Sequence, residues 1–73
     1  MEKIGDTKIM GGRKFKLMAV ETVKQEAEKA KGILQRNGYT RIQTFIIPSY
    51  RKLHNRLLPT DFYQIWAFKE AKP

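Results

Sequence analysis

Several stretches of this chain carry a readable rhythm of apolar and polar side chains, and each rhythm predicts an element. Thr7 to Met10 and Lys14 to Glu21 read as extended pieces separated by Gly11-Gly12, a pair that accommodates the positive φ angles of a tight hairpin turn. Along the second piece Phe15, Leu17 and Ala19 alternate with Lys14, Lys16 and Met18, the period of two of a strand with one face in water. These two pieces predict a β-hairpin. A helix follows: Thr22 can cap its free amides, and Gln25 completes a capping box. Val23, Ala27, Ala30 and Leu34 recur at helical spacing with Ile33 beside them, while Lys24, Glu28, Lys31 and Gln35 take the outer side. The small alanines predict close docking on a sheet, and Asn37-Gly38 supplies a left-handed stop. Gly32, inside the helix, costs about 1 kcal/mol relative to alanine.

Two more strands are predicted, Thr40 to Ile47 from its β-branched residues and Phe62 to Phe68 from its aromatic ones. In the latter, Phe62, Gln64, Trp66 and Phe68 alternate with Tyr63, Ile65 and Ala67, and Trp66 and Phe68 are expected in the core. Residues 48–61 form a long basic connection containing Pro48 and Pro59. Two conformations fit it. Tyr50, Leu53 and Leu57 stand at i, i+3 and i+7 as in a short helix opening at Ser49, and a long hairpin competes. The order β-β-α-β-β predicts an α+β fold: a small antiparallel sheet with one helix packed on one face. The opposite face would then be free and would carry basic and aromatic residues. A single domain is expected over residues 1–73, with 1–5 and 70–73 flexible.

Composition narrows the class. With 41% hydrophobic and 30% charged residues, the 73-residue chain has the balance of a folded globule. Its apolar runs, such as Leu17 to Val20 and Phe45 to Pro48, fall far short of the roughly 18 residues of a membrane-spanning helix. Met1 to Met10 holds Glu2, Lys3, Asp6 and Lys8 and has no apolar core of a secretory signal. Cysteine is absent, which removes disulfides, thiolate nucleophiles and the usual structural zinc sites. A soluble, cytoplasmic protein without a membrane span is expected.

Charge adds the main functional clue. The net charge is +8, and from Lys29 to Thr60 the chain has no acidic side chain while carrying Lys29, Lys31, Arg36, Arg41, Arg51, Lys52 and Arg56. A long stretch of one sign attracts polyanions. The expected partner is nucleic acid, DNA or RNA, bound without catalysis through a basic and aromatic surface. The candidate residues are Arg13, Lys14 and Lys16 beside the Gly-Gly turn, Arg41, and the cluster Tyr50, Arg51, Lys52, His54, Asn55 and Arg56. In that cluster Tyr50 suits base stacking, Arg51, Lys52 and Arg56 suit phosphates, and Asn55 suits a base edge. Gly11-Gly12-Arg13-Lys14 suits either a phosphate cradle or a plain hairpin turn. Lys24, Lys29 and Lys31 interleave with Glu26 and Glu28 and read as a solvated helix face.

Enzyme chemistry is poorly supplied. His54 is the one histidine and sits among cations, the seven carboxylates form no recognisable pair, and the Gly-Gly stretch lacks P-loop spacing. No enzymatic activity, cofactor or metal is expected. The competing function is a protein-interaction module, binding an acidic partner or forming a homodimer through a sheet edge or the 50–58 segment. Leu53, Leu57 and Leu58 favour it. Adsorption to anionic lipid through the same segment is a third reading.

Overall fold

The computed structural model describes residues 2–69. Its elements in chain order are β1 (Thr7–Met10), β2 (Arg13–Glu21), α1 (Lys24–Arg36), β3 (Arg41–Ile47), β4 (Tyr50–Leu53), β5 (Arg56–Pro59) and β6 (Phe62–Phe68). The fold is α+β as expected, but the order is longer than β-β-α-β-β, because the 48–61 connection contributes two strands of its own. Four strands form an antiparallel sheet in the order β1-β2-β6-β3, and β4 and β5 form a separate two-stranded sheet. The expectation that 70–73 is flexible lies outside the described residues.

Gly11 and Gly12 adopt φ of 57° and 78° and so turn β1 directly back into β2. The lead-in to β1 is tied down: the Lys3 amide donates to Asp6 Oδ2 at 2.7 Å and the Gly5 amide to the Leu17 carbonyl at 2.9 Å. Within β2 the alternation slips once. Leu17 lies opposite Trp66 and Ala19 opposite Ile65, so Met18 is the extra residue of a β-bulge. The expectation that Ala19 shares a face with Phe15 and Leu17 is therefore corrected: after the bulge Ala19 turns to the helix side, where Met18 also packs, and Val20 joins Phe15 and Leu17.

The helix begins one residue later than its capping box suggests. Val23, with φ −116° and ψ 129°, is the N-cap and supplies no side-chain cap, so Thr22 does not cap it. The C-terminus follows expectation in full. Gly38 takes φ of 89°, its amide donates to the Gln35 carbonyl, and the Tyr39 amide donates to the Leu34 carbonyl, completing a Schellman motif. Tyr39 also packs on the cluster that contains Leu34, the apolar contact that usually accompanies this motif. The helix lies over β2 and β6, burying Ala27 and Leu34 against Ile65 and Ala67. Val23 and Ile33, placed on the buried stripe by periodicity, are about half exposed.

The sheet has a second core on its other face. Phe15, Leu17 and Trp66 are buried there, with Met10, Val20 and Phe68 against them. This corrects the expected open basic and aromatic face, since Trp66 is only 1% exposed and Phe15 4%. The Lys8 side chain adds to the cover on this face. The Lys8 ammonium of β1 lies 5.1 Å from the Trp66 ring and 5.7 Å from the Phe45 ring of β3, although β1 and β3 are opposite edges. The long Lys8 side chain thus reaches across this face from one edge toward the other. The Trp66 indole N–H donates to Gln64 Oε1 at 3.3 Å, which satisfies both groups beneath the surface.

No close contact requires a glycine at position 32. A Cβ built on it meets nothing within 4 Å, and its φ is not positive. Gly32→Ala is therefore expected to stabilise the protein by about 1 kcal/mol, raising Tm by roughly 4–8 °C in a domain this small. A thermal melt followed by circular dichroism checks it, and an unchanged or lowered Tm would contradict the open environment.

Candidate nucleic-acid interface

Residues 50–59 resolve into an arm. Tyr50 pairs with Pro59, Arg51 with Leu58, Lys52 with Leu57 and Leu53 with Arg56, and the turn between them is His54-Asn55. Both turn residues have positive φ, 50° and 61°, the signature of the type I′ turn whose twist matches the flanking strands. Of the two conformations the sequence allows, the hairpin is the one formed. The helical spacing of Tyr50, Leu53 and Leu57 is coincidental to it. The arm continues the β3/β6 hairpin past a break at Pro48-Ser49 and Thr60-Asp61, where the Thr60 amide donates to the Ser49 carbonyl at 2.8 Å. Pro48 offers no amide to a ladder, which accounts for a break at this point.

All eight strand residues of the arm are exposed. Residues directly opposite one another share a face, so Tyr50, Lys52, Leu57 and Pro59 line one side and Arg51, Leu53, Arg56 and Leu58 the other. Each side therefore carries both charge and apolar surface. No carboxylate occurs in the arm, and Asp61 lies only at its base.

The other candidates stand elsewhere. Arg13, Lys14, Lys16 and Arg41 gather near the Gly-Gly turn, at the end of the sheet where Lys16 pairs with Ala67 and Arg41 with Phe68. The arm leaves from the opposite end, beyond the Ile47–Phe62 pair. The molecule is elongated, with a longest dimension of 56 Å, so the ten candidate residues make two basic ends rather than one surface. The Gly-Gly end is itself divided. Arg13 opposes Met10 on the side of the second core, whereas Lys14 and Lys16 oppose Ile9 and Thr7 on the helix side. Both glycines there are accounted for by the turn.

Among the described residues the ion pairs are Lys8–Glu2 and Lys29–Glu26, each at 3.5 Å, so no candidate cation is neutralised by one. The Lys29–Glu26 pair bears out the solvated reading of that part of the helix. An open hollow of about 500 Å³ lined by Glu2, Asp6, Ile47 and Gln64 lies apart from the candidate residues, and its carboxylates suit it poorly to a polyanion. Among the described residues no group of three metal-ligating side chains gathers, and no helix is long and apolar enough to cross a membrane. Sequence reasoning missed Lys8, which bridges two aromatic rings. Its signal was available in the register of the first hairpin, where Lys8 opposes Phe15.

Comparison with known protein families, curated proteins and solved structures gives no match. The functional reading therefore rests on the chemistry of the arm and the basic end.

Proposed function

We propose that this protein is a non-catalytic nucleic-acid-binding module whose principal contact is the arm. The observation that carries the reading is the combination of three cations, a tyrosine and no acid on a fully exposed hairpin. Arg51 and Arg56 lie on one side and Lys52 on the other, an arrangement suited to the two phosphate walls of a groove. A two-stranded ribbon also fits the roughly 12 Å width of the B-DNA major groove. Tyr50, 69% exposed, supplies a stacking face for an unpaired base, and Asn55 at the tip a donor and acceptor for a base edge. His54 occupies the tip of an arm that has no carboxylate to orient it, which supports a binding role over acid–base catalysis. The cysteine-free composition accords with a cytoplasmic setting.

The test is fluorescence anisotropy with single- and double-stranded DNA and RNA oligonucleotides. Neutralising three duplex phosphates predicts an affinity loss of about 40-fold between roughly 50 and 200 mM salt, from a slope of about 0.9 per contact. No binding at low salt would overturn the reading. A second reading, contact with an acidic protein, is supported by Leu53, Leu57 and Leu58, whose side chains are 44%, 70% and 41% exposed. A contact carried by these leucines would persist at high salt, where phosphate binding fades.

A further inference from the structure

The outer edge of β3 is a long backbone edge without the usual guards. Of the sheet's two edge strands, β1 is four residues long and carries Lys8, whereas β3 is seven residues long. After Arg41 it reads Ile42, Gln43, Thr44, Phe45, Ile46, Ile47, with no charge and no proline, and its pairing with β6 runs through without a bulge. Natural edge strands are normally blunted by just those devices. The helix lies over β2 and β6 and leaves β3 uncovered, so Phe45 on one face and Ile46 on the other are 40% and 58% exposed.

This strand is complementary to itself. An antiparallel copy with Thr44 opposite Thr44 is the register that pairs all seven residues. It sets Ile42 against Ile46 on the helix side, Gln43 against Phe45 on the other, and Arg41 against Ile47, so that the two Arg41 side chains stand at opposite ends. A second observation points to the same centre. Thr44 Oγ1 is buried without a hydrogen-bond partner among the described residues. Threonines directly opposite one another across antiparallel strands hydrogen-bond, and because Thr44 is only half-buried, a change of χ1 rotamer turns its hydroxyl to the partner.

We infer that the chain associates with a second copy of itself through two-fold antiparallel pairing of β3 about Thr44, joining two four-stranded sheets into one with both helices on the same side. The inference does not rest on nucleic-acid binding. The two depend oppositely on salt, since each chain carries +8 and screening that repulsion strengthens the dimer. An interface of one edge is small, so the dimer forms with concentration over about 1–200 μM rather than being permanent.

Sedimentation and light scattering across that range, at low and high salt, test it. The expected mass rises from one chain to two, more readily at high salt, and Ile46→Lys, at an exposed position, stays one chain while keeping its circular dichroism spectrum. A single chain at every concentration would overturn the inference and leave the edge to a strand from another protein. The register is tested by cysteine. Directly opposite residues have Cα atoms about 4.5–5.5 Å apart, inside the disulfide window of about 4.4–6.8 Å, so Thr44→Cys is expected to give a disulfide-linked pair under mild oxidation. In Gln43→Cys the two positions are offset to roughly 8 Å and should cross-link slowly, despite greater exposure. Since the chain has no cysteine of its own, each band is unambiguous. Faster cross-linking of Gln43→Cys would overturn the Thr44 centre.

Discussion

Trp66→Ala is expected to bring the protein close to unfolding at 25 °C, with a loss of about 3–5 kcal/mol. The indole is 1% exposed and is the largest side chain of the second core, where Phe15 and Leu17 close around it. Its removal also takes away the donor to Gln64 Oε1, leaving a polar group that is itself buried. An unsatisfied buried group of that kind costs about 1–3 kcal/mol. The consequence is large because the reserve is small: a domain of this length has a total stability of roughly 4–11 kcal/mol, from about 0.05–0.15 kcal/mol per residue. Trp66→Phe keeps an aromatic ring but removes the N–H together with part of the indole, so its cost is expected to fall below that of the alanine variant. Urea titration followed by circular dichroism measures both variants. A cost below about 1 kcal/mol for the alanine variant would mean that Trp66 is not packed in a core on this face.

The fate of Trp66 shows what the sequence conveys and what it withholds. Its burial was legible from the need of its strand to bury something against the helix, but the face was not: Trp66 and Phe68 pack with Phe15 and Leu17 on the side away from α1. Alternation assigns Trp66 to the side of Gln64 and Phe68, whereas which side the helix covers, and what packs on the other, depends on how four strands and the helix assemble. The bulge at Met18 is a similar case. A period of two can be counted along β2, but one extra residue reverses the count, and nothing in Leu17-Met18-Ala19 announces it. Local signals fared better. The Gly11-Gly12 turn and the Asn37-Gly38 stop depend on backbone freedom at single residues and formed as expected, while Thr22 lost its capping role because the helix starts at Lys24.

The candidate surface was legible in kind and not in place. The acid-free run from Lys29 to Thr60 correctly singled out Arg51, Lys52 and Arg56 as cations without nearby acids. It could not tell that Arg13, Lys14, Lys16 and Arg41 would stand at the other end of an elongated molecule, because that separation comes from strand order in the sheet. Nor did it reveal the free edge of β3, whose sequence reads equally well as a central strand. Only the topology makes it an edge.

That separation of the two basic ends makes the binding proposal sharply testable. Replacing Arg51, Lys52 and Arg56 together by alanine is expected to lower the salt slope of duplex binding by about 2.7, or by about 2 for single strands, from slopes of about 0.9 and 0.7 per phosphate contact. Referred to 1 M salt, a slope change of that size corresponds to an affinity loss on the order of several hundredfold at about 0.1 M. Stability should move by no more than about 0.5 kcal/mol, because all three side chains are exposed and none is in an ion pair among the described residues. Two further triple variants remove the same charge elsewhere. Lys24, Lys29 and Lys31 lie on the helix beside Glu26 and Glu28, so their replacement tests whether net charge alone accounts for binding. Arg13, Lys14 and Lys16 test the Gly-Gly end. If the arm is the contact, its variant alone shows the full loss. Equal losses from all three would reduce the interaction to diffuse attraction of a cation for a polyanion, and a loss confined to Arg13, Lys14 and Lys16 would transfer the site to the opposite end of the molecule and leave the arm, with its exposed leucines, to a protein partner.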